Sequence, residues 1–214
     1  MTEADTAAPQ PDVPADEADG APETDPPAAE IDTVGPEADV PRPDKPPRRR
    51  MFFALNPDDA TRAAIARGTR RAVSAAGGRP TRPENLHMTI AFIGRLTPKQ
   101  VAKARAVPPI RVGPMQILLD RQGYWSRQQI VWVGPSEAPA ALVDLERRLW
   151  EGLKAANFMR ERGMFRPHMT LARRARAART AIRPVRWTVT SLVLLESLPD
   201  ANGTRYELVD QWPL

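Results

Sequence analysis

One tripeptide, used twice, limits what this chain can build more than any other feature in it. His87-Met88-Thr89 opens the run HMTIAFIG, and His168-Met169-Thr170 opens HMTLAR 81 residues later. The 214 residues hold no other histidine. Each tripeptide leads into apolar residues in the manner of a buried β-strand. On a strand, residues i and i+2 share a face. His87 therefore sides with Thr89, and His168 with Thr170. Two such strands laid together bring two imidazoles and two hydroxyls to one place. A single histidine on an apolar strand is ordinarily a packed core residue. The repetition of the whole context argues for chemistry instead.

Imidazole titrates near pH ~6.5, so one histidine can be neutral while the other is charged. The neutral one can take a proton from water, and the charged one can give a proton to a leaving oxygen. Threonine hydroxyls donate hydrogen bonds and suit phosphate oxygens. Two histidines, two hydroxyls and no compact ligand cluster such as HExxH point to phosphodiester chemistry that needs no metal and no other cofactor. There is no G-x-S-x-G elbow for a serine hydrolase and no G-x-x-x-x-G-K-[ST] loop for a nucleoside triphosphate.

Charge divides the chain. Residues 1–47 hold 13 acidic and 2 basic residues and 11 of the 24 prolines, with no aromatic. Such a segment has too little apolar area to offset the entropy of ordering it, and it is expected to be a disordered acidic tail. Residues 48–214 hold 13 acids and 29 bases, a net charge of +16. A basic surface of this kind is the footprint of a nucleic-acid or phosphate partner. The absence of cysteine excludes disulfides, thiolate metal sites and a thiol nucleophile, and it fits a reducing cytoplasm. The start lacks a basic region followed by an apolar one, so no secretory signal is expected. No apolar run approaches the ~20 residues that span a bilayer. With no coiled-coil seam, a monomer is expected.

In chain order, Arg48-Arg49-Arg50 marks the border and could touch phosphates. Residues 51–55 read as a strand. Asn56 then reads as the N-cap of a helix with Pro57 in its first turn, running to about Ala76 and stopped by Gly77-Gly78. Residues 79–86 read as a loop into the first histidine strand. Thr97 and Gln100 form a capping-box pattern for a helix to about Val107, ended by Pro108-Pro109. Strands are expected over 114–120 and 128–134, joined by a loop carrying Tyr124, Trp125 and Arg127. Leu142, Leu145, Leu149 and Leu153 mark an amphipathic helix over 138–157. Arg160, Arg162 and Arg166 approach the second histidine strand, and 174–183 reads as an exposed basic loop. Residues 186–196 read as one long strand, turned at Asn202-Gly203 into a returning strand over 204–212. This order implies an α+β fold with sheets flanked by helices.

The paired strands, the opening RMFFAL, the runs RPENLHMTIAFIG, QGYWSRQQIVWVG and FRPHMTLAR, and the closing TRYEL together resemble a known family over roughly residues 50–212. It is the RNA 2′,3′-cyclic phosphodiesterases once named 2′-5′ RNA ligases, within the two-histidine phosphoesterase superfamily. The resemblance implies a two-lobed fold with antiparallel sheets facing a central cleft and helices outside. It implies hydrolysis of a 2′,3′-cyclic phosphate at an RNA end to a 2′-phosphate. In some members it also implies ATP-independent joining of 2′-5′ linkages in tRNA fragments. Carried over, His87 and His168 are the catalytic pair, and Thr89 and Thr170 hold phosphate oxygens. Arg173, five residues after the second histidine, clamps phosphate. Strict alternation would turn Arg173 away from His168, so the strand must end or bulge before it. Arg166 stands where some relatives have a histidine. By analogy His168 activates water and His87 protonates the departing 3′ oxygen. Phe53, Tyr124 and Trp125 could stack on the terminal base. Two other readings keep the same fold: a non-catalytic RNA-end binder, and a phosphodiesterase of a small cyclic nucleotide.

Overall fold

The computed structural model describes residues 47–107, 110–160, 163–178, 180–201 and 203–214. Apart from Pro47, the expected acidic tail lies outside the described residues, as do Pro108-Pro109, Arg162 and Asn202.

Two strand–helix–strand units carry the histidines. The first is β1 (Arg49–Leu55), α1 (Asp59–Ala76) and β3 (Met88–Leu96), with a two-residue strand β2 (Arg79–Pro80) and a 3-10 turn (Pro83–Asn85) before β3. The second is β6 (Ile130–Gly134), α3 (Ala140–Ala155) and β7 (Met169–Arg173). In each unit the two strands pair antiparallel. Between the units lie α2 (Pro98–Arg105), β4 (Met115–Leu119) and β5 (Arg121–Trp125). After them come β8 (Val185–Val189), β9 (Ser191–Asp200) and β10 (Gly203–Pro213). One sheet has the order β10-β9-β1-β3, a second β2-β7-β6-β5, and β4 pairs with β8 in a small third sheet.

Local chemistry explains the helices. Asp58, not Asn56, caps α1: its carboxylate accepts from the Thr61 amide at 2.7 Å. Asn56 instead offers its side-chain oxygen to Arg62 at 2.9 Å. A carboxylate one residue ahead of the helix satisfies an orphan N–H and complements the helix dipole. Gly77 at φ +65° ends α1. The capping box expected at Thr97 and Gln100 is formed in full. Leu142, Leu145, Leu149 and Leu153 of α3 are all essentially inaccessible, each contributing about 1.5–3 kcal/mol of burial. They join one continuous core with β1, β3, β4, β6, β7 and β8, so both units share an interior.

Three strand expectations change. Residues 121–125 are not loop but β5, hairpinned onto β6. Gly123 sits there because a side chain would collide with the Trp132 indole, 2.0 Å from where its β-carbon would lie. The long strand expected over 186–196 is broken at Thr190: β8 joins β4, while β9 joins β1. Arg79–Pro80, expected as loop, pairs with the end of β7. The hairpin at Gly203 is present, with β9 and β10 paired along their length.

Candidate active site

Each histidine sits one residue before its strand and is fixed in the same way. His87 Nδ1 lies 2.7 Å from the Asn85 carbonyl, and His168 Nδ1 lies 2.7 Å from the Arg166 carbonyl. A carbonyl can only accept, so Nδ1 carries the proton and Nε2 is left for chemistry. Both rings rest on aromatic floors. His87 meets Phe52 at 5.0 Å and Tyr206 edge-on at 4.7 Å between centroids. His168 meets Trp125 edge-on at 4.4 Å and Trp132 at 6.5 Å.

The strands that follow share one irregularity. Along β3, Thr89 pairs with Ala54 and Ala91 with Phe53, leaving Ile90 as an extra residue. Along β7, Thr170 pairs with Trp132 and Ala172 with Val131, leaving Leu171 as the extra one. A bulge of this kind resets alternation. Ile90 and Ala91 are both buried, as are Leu171 and Ala172. The residue after each pair returns to the face of the threonine. This turns Arg173 toward the site, as the alternation argument required. Arg173 lines a cleft of about 310 Å³ together with His87, Thr170 and Tyr206. Thr89 and His168 lie outside that lining, although β3 and β7 are in contact.

Electrostatics ties the pair together. Burial pushes His87 down to about 4, and the charges of His168 and Arg173 add to this, against the pull of the Asn85 carbonyl. His168 is also lowered, by burial first and then by Arg173, against the Arg166 carbonyl. Burial raises the Tyr206 hydroxyl, partly offset by Arg173 and Arg50. At neutral pH the site therefore holds two neutral imidazoles beside a guanidinium. Among the described residues no carboxylate pairs with Arg173. Among the described residues, no group of three or more acidic or histidine side chains is placed to hold a metal ion.

Other expected contacts fall elsewhere. Phe53 is buried against Trp212 in the main core and cannot reach a base; Phe52, its neighbour on the opposite face, lines the site. Tyr124 donates to the Ala175 carbonyl at 3.1 Å, away from both histidines. Trp125 does stand against His168. Arg49 is tied to Glu196, and Arg50 lies over the Phe92 ring at 5.0 Å. Arg160 pairs with the buried Glu146 at 2.7 Å. Tyr206 was not singled out from the sequence as a site residue. It lies far from both tripeptides along the chain, and only the β9–β10 pairing brings it to His87.

The profile of the 2′-5′ RNA ligase superfamily matches residues 57–201. An Escherichia coli (strain K12) protein named RNA 2′,3′-cyclic phosphodiesterase is 31% identical over 170 residues, covering 78% of this chain and 97% of the relative. A Thermus thermophilus protein of the same name is 27% identical over 185 residues, covering 77% and 90%. The apo crystal structure of E. coli LigT superposes with a TM-score of 0.70 at 29% identity, covering 78% of this chain and 98% of that one. The structure of that protein complexed with 3′-AMP superposes equally well, also at 0.70.

Proposed function

The chain belongs to the 2′-5′ RNA ligase superfamily, and from that premise we propose that it hydrolyses the 2′,3′-cyclic phosphate at an RNA end, leaving a 2′-phosphate. The observation that carries this is the duplicated histidine. Both imidazoles are held by the same Nδ1-to-carbonyl bond, each presents Nε2, and each lies in the field of Arg173.

In this reading one imidazole takes the proton of a water as its oxygen bonds to phosphorus. The bond from phosphorus to O3′ breaks, and the other imidazole protonates O3′. Arg173 and Thr170 hold the non-bridging oxygens, with Thr89 on the first strand. Neither step requires a metal or another cofactor. In the free site both imidazoles are neutral at pH 7, so the anionic phosphate must lift one of them into its charged form. It does so by offsetting Arg173. In the order that the resemblance implies, His168 is the base and His87 the acid. The acid is then the group that the free site holds at about 4, and its protonation depends most on the bound phosphate. Trp125 and Phe52 offer faces for the terminal base. RNA ends, tRNA fragments among them, are the proposed substrates, acted on by a monomer of residues 48–214 in the cytoplasm.

The test is to incubate the protein, with EDTA present, with an RNA oligonucleotide ending in a 2′,3′-cyclic phosphate and to identify the product. A 2′-phosphate is expected. A 3′-phosphate would retain the pair but reverse the leaving group. Binding without turnover would favour an RNA-end binder.

A further inference from the structure

The cleft has a second basic end. Besides Arg173 it is lined by Arg79, Arg82, Arg174 and the hairpin residues Gly203 and Thr204. Arg174 directly follows Arg173, and regular alternation would send the two side chains to opposite faces. Both nevertheless line the cleft. The backbone explains how: Arg174 stands at φ +52°, in the left-handed region that arginine rarely adopts. Among the described residues, positive φ otherwise falls at six glycines, at Asn157 and at Gln129, the last being the residue whose carbonyl holds the Ala175 amide.

The turn is held from several sides. Gly78, itself at φ +77°, packs so closely on the carbonyls of Arg173 and Arg174 that a β-carbon there would lie 2.4 and 2.6 Å from them. The Ala175 amide donates to the Gln129 carbonyl and the Arg176 amide to the Ala76 carbonyl, each at 3.0 Å. An uncommon conformation fixed this firmly beside a reacting centre is a reason to ask what the side chain does.

Charge supplies the answer. Arg82 is neutralised by Asp200 at 2.7 Å. Among the described residues no carboxylate pairs with Arg174. A terminal cyclic phosphate is a monoanion, and Arg173 already faces it. A polynucleotide end offers a second anion one nucleotide upstream. We infer that Arg174 holds the phosphate on the 5′ side of the terminal nucleotide. The site is thereby matched to RNA ends and to 5′-phosphorylated cyclic nucleotides in preference to free cyclic nucleoside phosphates. This rests on the hydrolase reading above and adds its substrate class.

The experiment compares kcat/KM for adenosine 2′,3′-cyclic phosphate, its 5′-phosphorylated form, and the dinucleotide ApA with a cyclic end. In the wild-type protein the upstream phosphate should raise kcat/KM about tenfold, mainly through KM, as one exposed charge-assisted contact does. In Arg174→Gly that ratio should fall to near one, and Arg174→Lys should keep part of it. Glycine suits the backbone here, so the variant should melt no lower than wild type, which separates lost recognition from lost fold. A wild-type ratio near one, or a ratio that survives in Arg174→Gly, would overturn the inference. Failure of the wild-type protein to turn over any cyclic phosphate would instead sink the hydrolase reading beneath it.

Discussion

Five residues past the first histidine stands Phe92; five past the second stands Arg173. The arrangement before those positions is repeated. Both histidines bond the carbonyl two residues back, both lie against aromatic rings, and both strands carry an extra aliphatic residue at the same place. The bulge therefore fixes where the fifth side chain points, and its identity sets what arrives there. In the first unit Phe92 packs with Phe52, Val193 and Leu195 under Arg50, and the floor is apolar. In the second, Arg173 opens onto the cleft. One duplicated backbone thus carries an apolar side chain at the fifth position of one unit and a cation facing the cleft at the fifth position of the other.

The strongest way to break this comparison is to remove the histidines separately. His87→Ala and His168→Ala should each lower kcat about 10²–10⁴-fold with little change in melting temperature. A near-normal rate in either would show that the two units do not work as a pair. Next, Arg173→Phe makes the second unit resemble the first, and kcat/KM should fall about 10²–10³-fold, as when an anion-stabilising donor is lost. Titration by NMR should show both imidazoles moving up in the same variant, because Arg173 lowers both. If neither moved, its charge would not reach the pair. Thr170→Val should cost about tenfold. Thr89→Val should cost less, since only Thr170 lines the cleft; equal losses would erase that asymmetry.

The smallest effects lie in pH. Because both free-site imidazoles titrate below their ordinary value, kcat/KM should be bell-shaped with its maximum below pH ~6.5. The profile of kcat should sit higher, since bound phosphate raises the pair. A maximum of kcat/KM at pH 8 would contradict the depressed values. Stability follows by linkage. Between pH ~6.5 and about 4 the unfolded chain binds a proton at His87 that the folded chain refuses. Its contribution is fully present above pH ~6.5 and is lost as pH falls through that window. Melting at pH 7 and pH 4.5 in wild type and His87→Ala checks this; an identical drop in both would assign the loss to other groups.

Much of this was legible because it depends on short-range pattern. The two tripeptides, the Thr97–Gln100 box and the leucine stripe of α3 are periodic or local signals, and each appears where it was read. An end or a bulge of the strand before Arg173 was legible as a requirement, from alternation together with the place the resemblance gave to Arg173, and the strand bulges. What was misread needed tertiary information. In the continuous apolar run MFFAL nothing local says which phenylalanine faces the cleft, because both faces of β1 are buried. β5 was read as loop, and its Gly123 is glycine because an indole from the next strand covers it, which no local pattern reveals. The α1 cap went to Asp58 over Asn56 because the Asp58 carboxylate takes the Thr61 amide while the Asn56 side chain is engaged by Arg62. Tyr206 is on a mostly exposed strand whose partner alone determines its place.

The two-residue strand Arg79–Pro80 has one more consequence. It lies along the outer side of β7 at Ala172 and Arg173, where the strand would otherwise offer a free hydrogen-bonding edge. A strand that short, ending in a residue with no N–H, is a poor template for further pairing. A second copy of the chain therefore has little to add to at this edge. The strand that delivers His168 is shielded from edge-to-edge aggregation by a segment borrowed from the other half of the molecule.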